Sequence, residues 1–145
     1  MSLAMTKKQR EEFLAATRIG IVSIEEAGRG PLTVPVWYHY QPGEELRFAT
    51  GRSSRKAALL ETATRMSVCV QTETAPYSYV SVEGPATVGA ADYERDIREM
   101  ALRYLGVDMG EAYLTMQHPG GNIDDTVLVR VRPERWWSVD YSKMG

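Results

Sequence analysis

Some seven short runs in which apolar residues fall on alternate positions set the limits on what this 145-residue chain can become. A period of two is the period of a strand, and these runs, at residues 18–25, 32–40, 45–50, 65–72, 77–88, 125–132 and 136–141, are fenced by Gly, Pro and charged residues. The clearest is 65–72, where Met66, Val68 and Val70 share one face and Ser67, Cys69 and Gln71 the other. Residues 18–25 are apolar on both faces, which predicts a buried strand. Turn chemistry at Ala27-Gly28-Arg29-Gly30-Pro31 and at Gln41-Pro42-Gly43-Glu44 joins successive runs as hairpins, hence antiparallel. Pro35 has no N–H to give, so its run requires a bulge or an unpaired edge there, and Gly84-Pro85 marks a bulge or bend.

Three stretches break this pattern. Thr6 followed by Gln9 is a capping-box pair at the head of a helix over 7–16 with Phe13 and Leu14 as its apolar edge. Residues 1–5 before it read as a frayed or vector-derived start. Tyr93, Ile97, Met100 and Tyr104 recur at helical spacing over 91–105, with Asp92 as cap and Gly106 as stop, and a shorter helix covers 109–116. Strands closed by hairpins with a few helices outside argue for a single domain, residues 1–145, of mainly β structure with flanking helices: a small antiparallel barrel.

The third break lies in Phe48–Leu60, FATGRSSRKAALL. A strand ends at Thr50, Gly51 turns the chain, and a helix over 54–61 begins among two hydroxyls, Ser53 and Ser54, and three cations, Arg52, Arg55 and Lys56. Cations oppose the positive end of a helix dipole by roughly 0.3 to 1 kcal/mol each, so three of them at this place suit a bound anion such as phosphate. The residues alone leave a second reading open, in which a serine is an ordinary N-cap and the cations face water.

Composition narrows the classes of function. Apolar residues at 43% and charged residues at 25% are those of a soluble globular chain, and the net charge of -2 offers no bulk attraction to nucleic acid or an anionic membrane. The apolar runs fall well short of a membrane span and no signal-peptide core precedes the first helix, so the expectation is a cytoplasmic protein. Cys69 stands alone in a strand-like run and reads as a packed thiol, and His39 and His118 are too far apart in sequence to suggest a metal site. A solvated loop is the better reading of His118.

Ser54-Arg55-Lys56-Ala57 after a strand ending in Thr50 resembles the phosphate-binding segment of the pyridoxamine 5'-phosphate oxidase-like flavin-binding split-barrel family. Three further segments resemble its smaller members, in the same order: Pro35-Val36-Trp37-Tyr38, then Tyr79-Val80-Ser81-Val82-Glu83-Gly84, then Arg132-Pro133-Glu134-Arg135 with Trp136 and Trp137. The resemblance covers roughly residues 10–142 and implies a six-stranded antiparallel split β-barrel, a homodimer with cofactor sites at the subunit interface.

The resemblance implies FMN as cofactor, with the deazaflavin coenzyme F-420 as the alternative. It places the phosphate at Thr50, Ser53, Ser54, Arg55 and Lys56, lays the ring along Val36, Trp37 and Tyr38, and brings Ser78 and Tyr79 from the second subunit. The implied activity is hydride transfer to or from a small organic substrate, needing no protein nucleophile and no metal. Trp37 is equally open to a core or interface role. With four residues beyond Tyr141, the longer C-terminal segment of true pyridoxamine phosphate oxidases has no counterpart, so oxidation of the vitamin itself is not expected. A binding module that holds flavin, haem or a nucleotide without turnover is the competing class.

Overall fold

The computed structural model of the protein describes residues 2–145. Every run of period two is a strand: β1 (Gly20–Ile24), β2 (Leu32–Val36), β3 (Leu46–Gly51), β4 (Arg65–Gln71), β5 (Ser78–Ala90), β6 (Thr126–Val131) and β7 (Arg135–Asp140). All neighbours are antiparallel, in the order β2-β1-β4-β5-β6-β3, with β7 added alongside the first half of β5. Six strands therefore form the curled path, as expected, and the seventh doubles one of them.

β5 is long enough to serve two parts of the sheet. Residues 79–85 pair with β4, and 86–90 pair with β6. The change of partner comes at Gly84-Pro85, the predicted bend, where a Cβ on Gly84 would overlap the backbone carbonyl of Arg132. Only glycine permits that approach.

The curl ends where the β2 segment parts from β1. Pro35 lies opposite Ile21 on this outer strand, where a missing N–H leaves no ladder bond unmade on the open side. After Val36 the chain crosses to β3, and His39 and Arg47 exchange both backbone hydrogen bonds at 2.9 Å. Half a barrel results, closed on that side by one bridge.

Its interior is built from the inward residues of the alternation: Val22, Ile24, Leu46, Phe48, Val68, Val70, Val80, Val82, Val129 and Val131. The helix α1 (Lys7–Ala15) inserts Leu14, fully buried, into the same core. Its Thr6–Gln9 capping box is complete. Ile19 and Ile21 depart from the expectation of burial on both faces, since only the Gly20, Val22 and Ile24 face turns inward and Ile19 is exposed.

The predicted frayed start is not what the structure holds. Met5 is buried and its N–H donates to Ser138 Oγ at 2.9 Å, while the Leu3 carbonyl accepts from Asp140 N–H at 2.8 Å. These residues lie along β7, so backbone pairing rather than composition decides their order. Met1 is outside the described residues.

A second layer covers the outer face of β3 and β6. Asp92 caps a π-helical turn, Tyr93–Arg98, that runs directly into α3 (Glu99–Gln117). Two helices were expected here, and α3 is in fact two helical segments separated at Gly106, where the backbone leaves the helical region (φ 80°, ψ 177°). Ile97, Ala101 and Leu114 pack from this layer against Trp37, Ala49 and Tyr113. No helix among the described residues is long and apolar enough to cross a membrane.

Candidate functional site

Strand β3 divides its side chains between two tasks. Leu46, Phe48 and Thr50 point into the barrel, and Arg47, Ala49 and Gly51 face the second layer. Between that outer face, the end of β2 and α3 lies a cleft of about 740 Å³. Its wall takes Val36 and Trp37 from one side, Thr50, Gly51 and Lys56 from the corner, and Ile97, Met100 and Tyr113 from the helical layer. Val36 and Lys56, 20 positions apart in sequence, are here on one surface.

The corner is built as a capped turn. Ser54 is the N-cap of α2 (Arg55–Leu59): its Oγ accepts from Ala57 N–H at 3.2 Å and from Thr50 Oγ1–H at 3.1 Å. With both lone pairs engaged, the Ser54 hydroxyl proton is left to donate. Helix α2 has five residues rather than the eight predicted over 54–61, too few for a substantial macrodipole.

Two of the three cations are satisfied within the chain, which corrects the expectation that all three need an external anion. Arg55 pairs with Glu26, whose side chain is nearly buried. Arg52 donates from Nε to the Asp124 carbonyl at 3.2 Å, and its N–H donates to the Asp125 carbonyl at 2.6 Å. Lys56 is the cation that lines the cleft. Ser53 is exposed in the preceding turn.

Tyr38 is not a cleft residue. Its ring is fully buried in the barrel, its hydroxyl donates to the Leu14 carbonyl at 2.7 Å, and burial pushes its pKa above the ordinary tyrosine value. Its backbone is occupied too. The Tyr104 hydroxyl from α3 accepts from Tyr38 N–H at 3.1 Å and donates to the Arg18 carbonyl at 2.5 Å, filling the gap that the strand break leaves. Sequence reasoning found the break but not the group that seals it, because Tyr104 lies 66 residues away.

Trp37 combines the two roles left open for it. It stacks on Tyr104, with centroids 5.3 Å apart and planes 8° apart, leans on Tyr113 at 5.2 Å, and still lines the cleft. Aromatic contacts on two sides fix its plane. Ser78 and Tyr79 open β5, beside β7 and away from this cleft within one chain. Ser78 Oγ donates to Asp140 Oδ1 at 3.0 Å, and Tyr79 is partly exposed near exposed Tyr77 and Trp137.

Two contributors were not foreseen. Asp96 sits fully buried at the floor and receives Arg47 Nε at 3.0 Å, Arg95 Nε at 3.0 Å and the Asp92 N–H at 2.8 Å. Burial by itself would raise its pKa, but the Arg95 and Asp92 hydrogen bonds and Arg47 outweigh that and hold the carboxyl below its ordinary value. A lone acid in a charged helical stretch gave no sequence signal for this. His118, read as a solvated loop residue, lines the cleft instead. Its Nδ1 lies 3.1 Å from the Asn122 carbonyl, which can only accept, so Nδ1 carries the proton and Nε2 of the neutral ring is an acceptor.

The profile of the pyridoxamine 5'-phosphate oxidase family matches residues 5–140, and the chain belongs to that family. Among solved structures it is similar to the conserved hypothetical protein Rv2991 of Mycobacterium tuberculosis, with 23% identity over 99% of this chain and 89% of that one, at a TM-score of 0.78. It is similar to an F420 reductase at 19% identity, covering 88% and 94% of the two chains, with a TM-score of 0.68. The heme storage protein HutZ of Vibrio cholerae has the same fold at 18% identity, covering 97% and 96%, with a TM-score of 0.62. No curated protein sequence matches the chain.

Proposed function

We propose that this protein is a flavin-type oxidoreductase that binds FMN in the cleft between β3 and α3 and passes hydride to or from a small organic molecule. The observation that carries the reading is the convergence of Val36, Trp37, Thr50 and Lys56 on one cleft, next to the Ser54 cap. A volume near 740 Å³ is within the range of about 300 to 1,000 Å³ usual for cofactor and ligand pockets.

The donor set fits a phosphorylated aromatic cofactor. Lys56 would supply the countercharge for a phosphate, and the Ser54 hydroxyl the directed hydrogen bond, with Thr50 holding Ser54 in place. Arg55, tied to Glu26, would position the turn rather than bind. Val36 and the braced Trp37 would form the wall against which a ring lies, and His118 Nε2 offers an acceptor to a substrate in the same cleft. A bound flavin, or a deazaflavin, supplies the hydride chemistry itself. Everything asked of the protein is binding, orientation and exclusion of water.

A second copy of the chain would complete the site. The partly exposed Tyr79 with exposed Tyr77 and Trp137 forms an aromatic surface of the kind that homodimer interfaces bury, and Ser78 and Tyr79 from the partner would reach the cofactor. Because the F420 reductase shares the fold, the deazaflavin is tested beside FMN.

The experiment is a titration of purified protein with FMN and with the deazaflavin coenzyme, followed by absorbance and fluorescence, and then reduction and reoxidation with a quinone as acceptor. Saturable binding of one of the two, with turnover, is the expected result. A featureless titration of both would overturn the proposal, and binding without turnover would move the protein to the class of carriers. Loss of affinity in Tyr79→Ala would place that residue at the cofactor, and unchanged affinity would return it to the surface.

A further inference from the structure

On the far side of Asp96 from the cleft lies a second and larger hollow, about 880 Å³, that shares no lining residue with the cleft. Its wall comes from α1, the connection between β2 and β3 with Arg47 of β3, the helical layer, and the ends of β6 and β7, and it carries six cations: Lys7, Arg10, Arg47, Arg95, Arg130 and Arg132.

The cations and the carboxylates of this groove are arranged at different depths. Arg47 and Arg130 are register partners on neighbouring strands, β3 and β6, and both are largely or partly buried at the floor. Like charges directly opposite one another on a sheet are destabilising unless something of opposite sign lies between them. One floor carboxylate, Asp96, answers both Arg47 and Arg95. Among the described residues Arg130 has no ion pair; of the carboxylates in the wall, Glu44, Glu45 and Glu99 are exposed at the rim and Glu11 is half-buried, and none of the four pairs with Arg47 or Arg130. Arg132 is tied to Glu134.

Two buried polar atoms in the same wall lack partners. His39 Nδ1 and Arg10 Nε are both sealed from solvent without a hydrogen bond, and an orphaned buried polar atom calls for an occupant. Arg10 lies over the Trp136 ring at 4.8 Å, in the same wall.

We infer that this groove binds a small dianion, a phosphate monoester or a dicarboxylate, between the guanidinium groups of Arg47 and Arg130 with His39 beside it. Planar guanidinium forks take either oxyanion in paired hydrogen bonds. The site is independent of the cofactor cleft, since its ligand faces the opposite side of the Arg47–Asp96 pair.

Isotope-labelled protein without cofactor, in the Lys56→Ala background so that the cleft does not compete, is titrated with inorganic phosphate and with succinate while the His39 ring and the amides of residues 39–47 are followed by NMR. Arg47 and Arg103 on one side and Glu44 and Glu99 on the other are the charged groups facing His39. A bound dianion adds negative charge to that set and raises the His39 pKa, whichever ligand supplies it. Arg130→Gln weakens binding by about tenfold or more, as loss of a charged hydrogen-bond pair requires, and Glu44→Gln strengthens it. A larger response to phosphate identifies a phosphate ester as the ligand class, and a larger response to succinate a dicarboxylate. Unmoved signals with both ions, or a response that survives Arg130→Gln, would overturn the inference.

Discussion

The two faces of β3 differ more than any other pair of surfaces in the molecule. Inward, Leu46 and Phe48 are fully buried among valines, and the geometry there answers to shape alone. Outward, one residue along, Arg47 reaches a buried carboxylate and Ala49 packs under the helical layer, with a hollow on each side of the Arg47–Asp96 pair. The inner face makes the fold and the outer face carries the two hollows. A period of two lets six residues do both.

Separation of the two faces is open to direct attack. The largest effect belongs to the inner one: Phe48→Ala should destabilise the protein by about 4 kcal/mol through lost burial and a residual cavity. FMN affinity measured well below the melting temperature should be unchanged. A parallel fall in affinity would show that the barrel interior and the cleft are not separable.

Next comes the residue at the junction. Asp96→Asn removes a buried charge that two arginines share, at a cost of about 3 kcal/mol in chemical denaturation, because Arg47 is then left buried with a weaker partner. Unlike the first substitution it should also alter cofactor affinity, since Asp96 lines the cleft floor. A loss of stability with identical ligand binding would assign Asp96 to the fold alone.

Lys56→Ala should leave stability within about 0.5 kcal/mol, as surface changes do, while weakening FMN roughly tenfold by loss of a charge-assisted hydrogen bond. Equal affinity in titration would remove the corner from the cofactor site. Arg55→Ala separates the structural from the binding role of the neighbouring cation: it should lower stability slightly through Glu26 and reduce affinity less than Lys56→Ala.

The smallest effect is a pH dependence. Burial, then the charges of Arg47 and Arg103, hold the His39 pKa below its ordinary 6.5, so the folded state binds fewer protons than the unfolded one once pH falls past that value. Stability contributed by neutral His39 is therefore lost progressively as pH drops below 6.5 toward the folded value. The Asp96 carboxyl behaves as a second step: its contribution is present above 3.8 and is lost as pH falls through its lower folded value. Urea midpoints measured against pH should show both steps in the wild type and only the lower one in His39→Asn.

Much of this was legible in the chain. The alternations at residues 65–72 and 45–50, the bend at Gly84 and the cap at Ser54 are local facts, set by side-chain period, a missing Cβ and a hydroxyl three residues from its partner. A small antiparallel barrel follows from them; the split-barrel topology, and the grouping of Val36, Trp37, Thr50 and Lys56 in one place, came from the resemblance of four segments to the family. The misreadings lie where a distant residue decides the outcome. Tyr38 turned inward because Leu14 offers its hydroxyl a carbonyl, the two arginines of the corner found Glu26 and Asp124, and residues 3–5 were ordered by β7.

The sequence by itself determined which residues face in and which face out, because that depends on a two-residue period and on turns closed by near neighbours. Only the tertiary structure decided which outward residues have company. Charge and hydrogen-bond satisfaction are settled by pairs such as Arg47–Asp96, 49 positions apart, and Tyr38–Tyr104, 66 apart, and no local pattern records a partner at that distance.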